Sequence, residues 1–306
     1  MSKRLVTFLI VALGSVPYTA VAINYFGYAR TEGVGSEVAA WSNIGHFLVE
    51  DPTFDYTGQI NHWRVVYGLK SIVELTHVFV SGRTGNLWPD WQARWQAFVG
   101  VNRNRLTPEF IAAFLVMDEP LLRGMTFSQA ASLVRVVKST FPDVPTALVE
   151  NGELVARLPA QLPSELDWIG IDAYGVKNPA DDPWYLSQLD SLRGRMLVAQ
   201  RLLIIGDGWF GPVHVAAGLE PCDMEGVAWS YYRLALERDA VALVFFLWKS
   251  DAIREEVPDA IGSDEFDRCA FCARRPINTQ RIIGAFVTGK QPTFPGCARR
   301  HLRTVR

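Results

Sequence analysis

The chain has 306 residues, with 30 Lys and Arg against 32 Asp and Glu and a formal net charge of −2. This near-neutral balance lacks the basic surplus that a nucleic-acid partner requires, so no nucleic-acid binding is expected. No linker, internal repeat or glycine-rich phosphate- or dinucleotide-binding motif is present. We therefore predict one domain with no cofactor. No feature of the sequence indicates an oligomeric state.

The amino terminus has the pattern of an export signal. Lys3 and Arg4 precede an apolar run over 5–16, and Ala20-Val21-Ala22 supplies small residues where signal peptidase cleaves. The run is too short for a comfortable membrane span, and no later run is long enough. We predict a signal peptide at 1–22, a mature domain at 23–306, and a secreted or periplasmic protein. In the alternative, the chain is not cleaved after Ala22, and residues 20–28 together form the first strand.

Four cysteines lie in the last third of the chain, at Cys222, Cys269, Cys272 and Cys297. In an exported protein, an even number of cysteines favours one or two disulfides near the carboxyl terminus. The pairing stays open. A zinc site would need two closely spaced cysteine pairs, and only the "CAFC" stretch at 269–272 has that spacing. No metal is predicted.

Apolar, strand-like segments alternate with helical ones along most of the chain. The predicted strands are 23–29, 42–49, 71–80, 113–120, 145–152, 167–175, 201–209 and 242–250. Helical spacing of apolar residues fills many of the intervals, and Thr126 is the expected N-cap of one helix. Eight strands with intervening helices fit a single (β/α)8 (TIM) barrel better than an open doubly wound sheet.

Polar and aromatic residues gather at the carboxyl ends of the predicted strands. In a barrel these ends meet on the one face where barrel enzymes carry their active sites. The residues concerned are Asp118, Glu119, Glu150, Asp172, Tyr174, Asp207, Trp248 and Lys249. Hydrolysis of a glycosidic bond needs one protonated carboxyl and one ionised carboxylate, and crowding of carboxylates raises the pKa of one of them. The set favours a carbohydrate substrate.

The stretch "MDEP" at 117–120 resembles the Asn-Glu-Pro motif that follows strand four in a large clan of (β/α)8 glycoside hydrolases. The resemblance implies that Glu119 is the acid/base, that Tyr174 is the group after strand six, and that Trp248 floors the sugar subsite. Two positions depart from the family pattern. Asp118 replaces the Asn that binds the 2-hydroxyl of the sugar, and Asp207 stands where the strand-seven nucleophile is normally Glu.

The shorter side chain of Asp207 widens the gap between the two carboxylates, which indicates either an altered mechanism or a barrel that binds sugar without cleaving it. We predict Glu119 and Asp207 as the catalytic pair, with Glu150 as the alternative second carboxylate. Three further substrate-binding candidates are Asn43, His77 and Trp209.

A metal-dependent barrel hydrolase is a further alternative. It would use Asp118, Asp172, Asp207 and His77. Such barrels usually carry a His-x-His pair after a strand, and none of the five His forms such a pair. The glycoside hydrolase prediction is therefore preferred.

Overall fold

The computed structural model describes residues 23–248, 259–260 and 271–291, and it contains a closed barrel of eight parallel strands. The strands are paired in chain order, and the last one pairs with the first. They are β1 Tyr25–Tyr28, β2 Ile44–Leu48, β3 Lys70–Glu74, β4 Ile111–Asp118, β5 Thr146–Asn151, β6 Trp168–Asp172, β7 Arg201–Asp207 and β8 Ala240–Phe246. The predicted (β/α)8 barrel is confirmed.

Helices occupy most of the intervals between these strands. They are α1 Gly35–Val38, α2 Thr57–His62, α3 Thr76–Phe79, α4 Trp91–Asn102, α5 Phe127–Thr140, α6 Pro183–Arg193, α7 Pro212–Ala216, α8 Met224–Glu237 and α9 Phe271–Thr288. A π-helical turn, Trp63–Tyr67, continues α2. Thr126 caps α5 as predicted, and its side chain exchanges hydrogen bonds with Gln129 in a capping box. Within the described ranges, no helix combines the length and apolar character needed to cross a membrane.

Seven of the eight predicted strands are shorter in the structure, and two of them continue as apolar segments beyond the barrel strand. The segment 71–80 was predicted as one strand, but β3 ends at Glu74 and the short helix α3 follows. The segment 201–209 ends its barrel pairing at Asp207, and Trp209–Phe210 pairs antiparallel with Asp259–Ala260. Both segments stay apolar beyond the barrel because their side chains pack over its end, so an apolar run alone overestimates strand length.

Residues of each strand alternate between the interior of the barrel and the layer under the helices. In β7, Leu203 and Ile205 belong to the interior cluster, whereas Leu202 and Ile204 pack in the outer core. Because both faces of a parallel strand are buried, its sequence is a nearly continuous apolar run. This burial fixes the register and holds the strand ends, and the side chains that follow them, at defined positions.

The helix α9 covers the junction between the first and last strands. The Arg281 guanidinium lies over the rings of Trp41 and Trp248, at 4.7 and 5.8 Å from their centroids. At the end of the helix, Lys290 Nζ donates hydrogen bonds to the carbonyls of Ala39 and Ser42. These contacts join the carboxyl-terminal helix to the segment between β1 and β2.

Candidate active site

A cavity of about 600 Å³ opens at the carboxyl ends of the barrel strands. Four carboxylates from three strands line it: Glu74, Asp118, Glu119 and Asp172. The rings of Tyr174 and Phe246 contribute aromatic wall, and the apolar lining is mainly Ile72, Leu115, Val149, Leu203, Ile205 and Val244. A cavity of this size with convergent polar groups is typical of a small-molecule site.

The end of β4 places two consecutive carboxylates in the cavity. Successive side chains of a regular strand point to opposite faces. Here β4 ends at Asp118, and Glu119 has a φ of +48°, in the left-handed region that a non-glycine residue rarely adopts. The Glu119 amide still donates to the Val149 carbonyl at 2.8 Å, and Asn151 Nδ2 donates to Glu119 Oε1 at 3.3 Å. The backbone turn therefore lets both side chains face one site.

Asp172 is the carboxyl most strongly held in its protonated form. Burial and the charges of Glu119 and Asp118 raise its pKa well above the usual value, and a hydrogen bond with the Glu119 carboxylate raises it further. Tyr174 Oη donates to Asp172 Oδ2 at 3.3 Å. No donor among the described residues reaches the buried Oδ1 atom.

Glu74 has the opposite electrostatic character. Burial alone would raise its pKa, but hydrogen bonds from His46 and Thr76 and the charge of Arg30 lower it below its usual value. The Arg30 amide donates to His46 Nδ1 at 3.0 Å, so Nε2 carries the ring proton and lies 3.1 Å from Glu74 Oε2. Glu74 is therefore ionised. Glu74 was not predicted as a site residue, although it ends an apolar strand in the same way as Asp118.

Asp118 lies between these two groups. Its burial and the charges of Glu74 and Glu119 raise its pKa, and Arg123 opposes the rise. Arg123 binds both the Asp118 carbonyl, at 2.6 Å, and its carboxylate, at 3.1 Å. About a third of the Asp118 side chain (31%) stays exposed in the cavity, which leaves it accessible to a ligand.

Asp207, predicted as the second catalytic carboxylate, does not line the cavity. Its side chain is fully buried, with Oδ1 at 3.1 Å from His214 Nε2 and Oδ2 accepting from the Gly175 amide at 3.0 Å. The ring of Trp209 packs edge-on against both Tyr174 and His214. The prediction of Asp207 as nucleophile or base is wrong for this structure, because the loop after β7 turns His214 onto the carboxylate.

Glu150 is also absent from the cavity lining. It is 1% exposed, and its two oxygens accept the backbone amides of Leu121 and Asn151, each at 2.9 Å. Burial and the nearby Glu119 charge raise its pKa to about 7, and these amide bonds oppose the rise. Glu150 therefore ties the loop after β4 to the end of β5. This contact corrects the predictions of Glu150 as a substrate ligand and as an alternative catalytic carboxylate.

The tryptophans after strands seven and eight do not form a sugar platform in this structure. Trp248 is completely buried and packs against Tyr28 and Trp41, at centroid distances of 5.0 and 5.3 Å. Trp209 is 7% exposed and lies behind Tyr174. Trp248 lies in the outer core, to which the chain after β8 returns, whereas Trp209 packs with Leu247 in a small cluster against Tyr174 and Phe246. Lys249 lies outside the described residues.

Two further candidates occupy opposite ends of the barrel. Asn43 precedes β2, and its side chain bonds to the Phe26 amide and the Asn24 carbonyl at the amino end of β1. It is therefore remote from the cavity, which corrects its predicted role. His77 lines the cavity rim, where Nδ1 lies 2.9 Å from Glu50 Oε2. Because Asp207 is enclosed, the proposed metal-binding set of Asp118, Asp172, Asp207 and His77 is not assembled.

Comparison with known proteins finds similarity in the fold alone. No protein-family model matches the chain, and no curated protein matches it. A thermostable mutant of a xylanase from Cellvibrio japonicus superposes with a TM-score of 0.54 at 9% identity, covering 85% of this chain and 98% of the xylanase. A glucosidase from Croceicoccus marinus gives 0.55 at 11% identity, covering 81% of this chain and 61% of the glucosidase.

A third solved structure is an active-site mutant of a β-1,3-glucanosyltransferase from Rhizomucor miehei in complex with laminaritriose. It superposes with a TM-score of 0.53 at 15% identity, covering 78% of this chain and 91% of that one. The chain thus shares its barrel fold with these three solved structures. The acidic cavity lies at the carboxyl end of the strands, where such barrels carry their sites.

Proposed function

We propose that this protein is a glycoside hydrolase that binds a poly- or oligosaccharide in the acidic cavity and cleaves an O-glycosidic bond. The observation that carries the proposal is the presence, in one cavity, of two neighbouring carboxyl groups, one of which has a strongly raised pKa, and a separate carboxylate whose pKa is lowered. Asp172 and Glu119 form the pair, and Glu74 is the ionised group. Environments that hold carboxyl groups of one site in different protonation states define an acid and a base.

In the proposed reaction, the Glu119–Asp172 pair supplies the proton that the leaving oxygen takes as the glycosidic bond breaks. Glu119 is the half-buried member and faces the ligand, whereas Asp172 is 6% exposed and keeps the proton available. Glu74 stabilises the positive charge that develops at the anomeric carbon. Water adding to an oxocarbenium-like carbon is strongly acidic, so even a weak base such as Glu74 accepts its proton.

The small exposed fraction of Glu74, 7%, favours contact with a water molecule over contact with a sugar ring. We therefore propose direct displacement by water with inversion at the anomeric carbon, in place of a covalent intermediate on strand seven. The anomer released first, followed by proton NMR, tests this choice. A product with retained configuration contradicts it.

One observation favours a second candidate, a barrel that binds carbohydrate without cleaving it. The residue at the end of β7, Asp207, is enclosed by His214 and Gly175 and offers no carboxylate to a ligand. Hydrolysis would then depend entirely on the carboxylates of β3, β4 and β6. This candidate shares the ligand class and the cavity with the first.

The deciding experiment measures turnover and binding on the same panel of oligosaccharides. Glu119→Gln should lower hydrolysis of unactivated glycosides by about 10²- to 10⁴-fold while binding persists, because the amide keeps the shape but donates no acidic proton. Aryl glycosides with good leaving groups should restore much of the rate. The matched control is Glu109→Gln, an exposed glutamate that precedes β4 at the end of the barrel opposite the cavity. Binding without cleavage by the unmodified protein supports the second candidate.

We also propose that the protein is exported and that residues 1–22 are removed, as the amino-terminal sequence predicts. Cys222, which begins the helical turn before α8, is not a free thiol. This is compatible with an oxidising compartment. The side chains of the other three cysteines lie outside the described residues, so the disulfide pairing stays a prediction. Mass spectrometry of the secreted protein tests the cleavage site and the pairing together.

A further inference from the structure

Asp207 and His214 form a fully buried polar pair that the proposed reaction does not use. Both side chains have no exposed surface. Burying two ionisable groups is costly unless each is hydrogen-bonded. Their contacts therefore indicate what the pair does in the structure.

The hydrogen bonds define the protonation of both groups. The Gly211 amide donates to His214 Nδ1 at 3.1 Å, which makes Nε2 the protonated nitrogen. Nε2 lies 3.1 Å from Asp207 Oδ1, and the Gly175 amide donates to Oδ2 at 3.0 Å. Oδ2 thus accepts the Gly175 amide, while Oδ1 lies against the His214 ring in an ion-pair contact without hydrogen-bond geometry. Burial raises the pKa of Asp207, and these two contacts oppose the rise.

The Gly175 contact connects this pair to the cavity. Gly175 has a φ of +77°, a conformation that suits glycine, and it directly follows Tyr174. The Tyr174 ring lies between Trp209 and Phe246, at centroid distances of 5.9 and 5.7 Å. Its hydroxyl donates to Asp172 Oδ2. A continuous chain of contacts therefore runs from His214 through Asp207, Gly175 and Tyr174 to Asp172.

We propose that Asp207 and His214 are positioning residues that fix the backbone at Gly175 and so hold the Tyr174 hydroxyl on Asp172. The catalytic meaning of this role rests on the proposed glycosidase function, but the role itself is a property of the folded protein. A merely structural pair would stabilise the barrel without affecting Asp172. The measurable difference is the titration of Asp172.

The substitution Asp207→Asn tests the contact with little change of shape. The amide has one acceptor oxygen, so it can accept from His214 or from Gly175 but not from both. The N–H group that faces the amide NH₂, from either His214 or Gly175, is then left opposite another donor and has no acceptor. If His214 changed its tautomer to accept from the amide NH₂, its Nδ1 would carry the proton and would face the Gly211 amide, which is also a donor. The wrong histidine tautomer arises in the same way in catalytic triads that lose their carboxylate. The Gly175 segment should therefore loosen.

The readout is the side-chain carboxyl titration of Asp172 by carbon NMR, assigned with Asp172→Asn and measured without any sugar. Tyr174→Phe removes a hydrogen bond that lowers the pKa of Asp172, so the midpoint should rise by about one pH unit, the equivalent of one such bond. Asp207→Asn should shift the midpoint in the same direction. In the double variant Tyr174→Phe/Asp207→Asn, the second change should add nothing.

Two results would overturn the proposal. One is an Asp172 midpoint that Asp207→Asn leaves unchanged, and the other is equal shifts with and without the Tyr174 hydroxyl, which would indicate a direct charge effect. If Asp207→Asn does not fold, Asp207→Ser takes its place, because the shorter side chain withdraws the acceptor from the Gly175 amide, and the same expectations apply. Because no substrate is present, the outcome does not depend on whether any glycoside is cleaved.

Discussion

The substitution Glu74→Gln removes one negative charge from the cavity and preserves the size of the side chain. Hydrogen bonds and neighbouring charges lower the pKa of Glu74 from its usual 4.5 to about 2 in the folded protein. A carboxyl with a lowered pKa stabilises the fold fully above its unfolded pKa, and this stabilisation is lost as the pH falls toward the folded pKa. The shift corresponds to at most about 3 kcal/mol of unfolding free energy at pH 7.

The assay is urea unfolding of both proteins, followed by tryptophan fluorescence at pH 7 and pH 3. The stability difference between the unmodified protein and Glu74→Gln should shrink by about 2 kcal/mol at pH 3, because the carboxyl then takes up a proton when the chain unfolds, and this uptake favours unfolding of the unmodified protein. The loss should be larger at pH 7 because Glu74 is fully ionised in both states there.

Glu50→Gln is the matched control, since Glu50 also faces a histidine, His77, at 2.9 Å but has a side chain that is 60% exposed. Exposed pairs of this kind contribute about 0–1 kcal/mol. If the two substitutions cost the same, or if the cost of Glu74→Gln does not change with pH, the assignment of Glu74 as a buried ionised group fails.

Three other outcomes are expected. Asp172→Asn should flatten the pH dependence of the melting temperature between pH 5 and 9. The raised pKa of Asp172 makes the unmodified fold lose stability as the pH rises, and the substitution removes this titration. An unchanged slope contradicts the assignment. Trp248→Ala should cost about 3–5 kcal/mol in urea unfolding, against under about 1 kcal/mol for the 40%-exposed Trp184→Ala. Thiol titration of the unfolded, unreduced protein should find fewer than four thiols, and a count of four would exclude a disulfide.

The barrel could be predicted from the sequence because parallel strands are buried on both faces and leave continuous apolar runs. Glu119 and Asp118 could be predicted as site residues because their strand ends where the apolar run ends. Asn43 could have been excluded by the same logic. It precedes β2, and residues before a barrel strand lie at the end opposite the site.

The direction of a side chain beyond a strand end could not be predicted. Asp207 faces His214 only because the chain makes a short turn and then forms α7, so that a ring seven residues later reaches the carboxylate. Trp248 lies two residues beyond β8, where the chain returns to the outer core. These placements depend on tertiary packing, which overrides the local pattern.

The position of α9 has a consequence for folding during synthesis. α9 follows β8 in the chain, yet Arg281 and Lys290 contact Trp41 and the carbonyls after α1, and Lys290 lies 251 residues from its partner Ala39. All eight barrel strands are therefore synthesised before the helix that packs on β1, so β1 lacks this cover while the strands pair. Contacts of such long sequence separation slow folding and expose strand edges to other chains. The nascent barrel therefore depends on remaining unassociated until α9 docks.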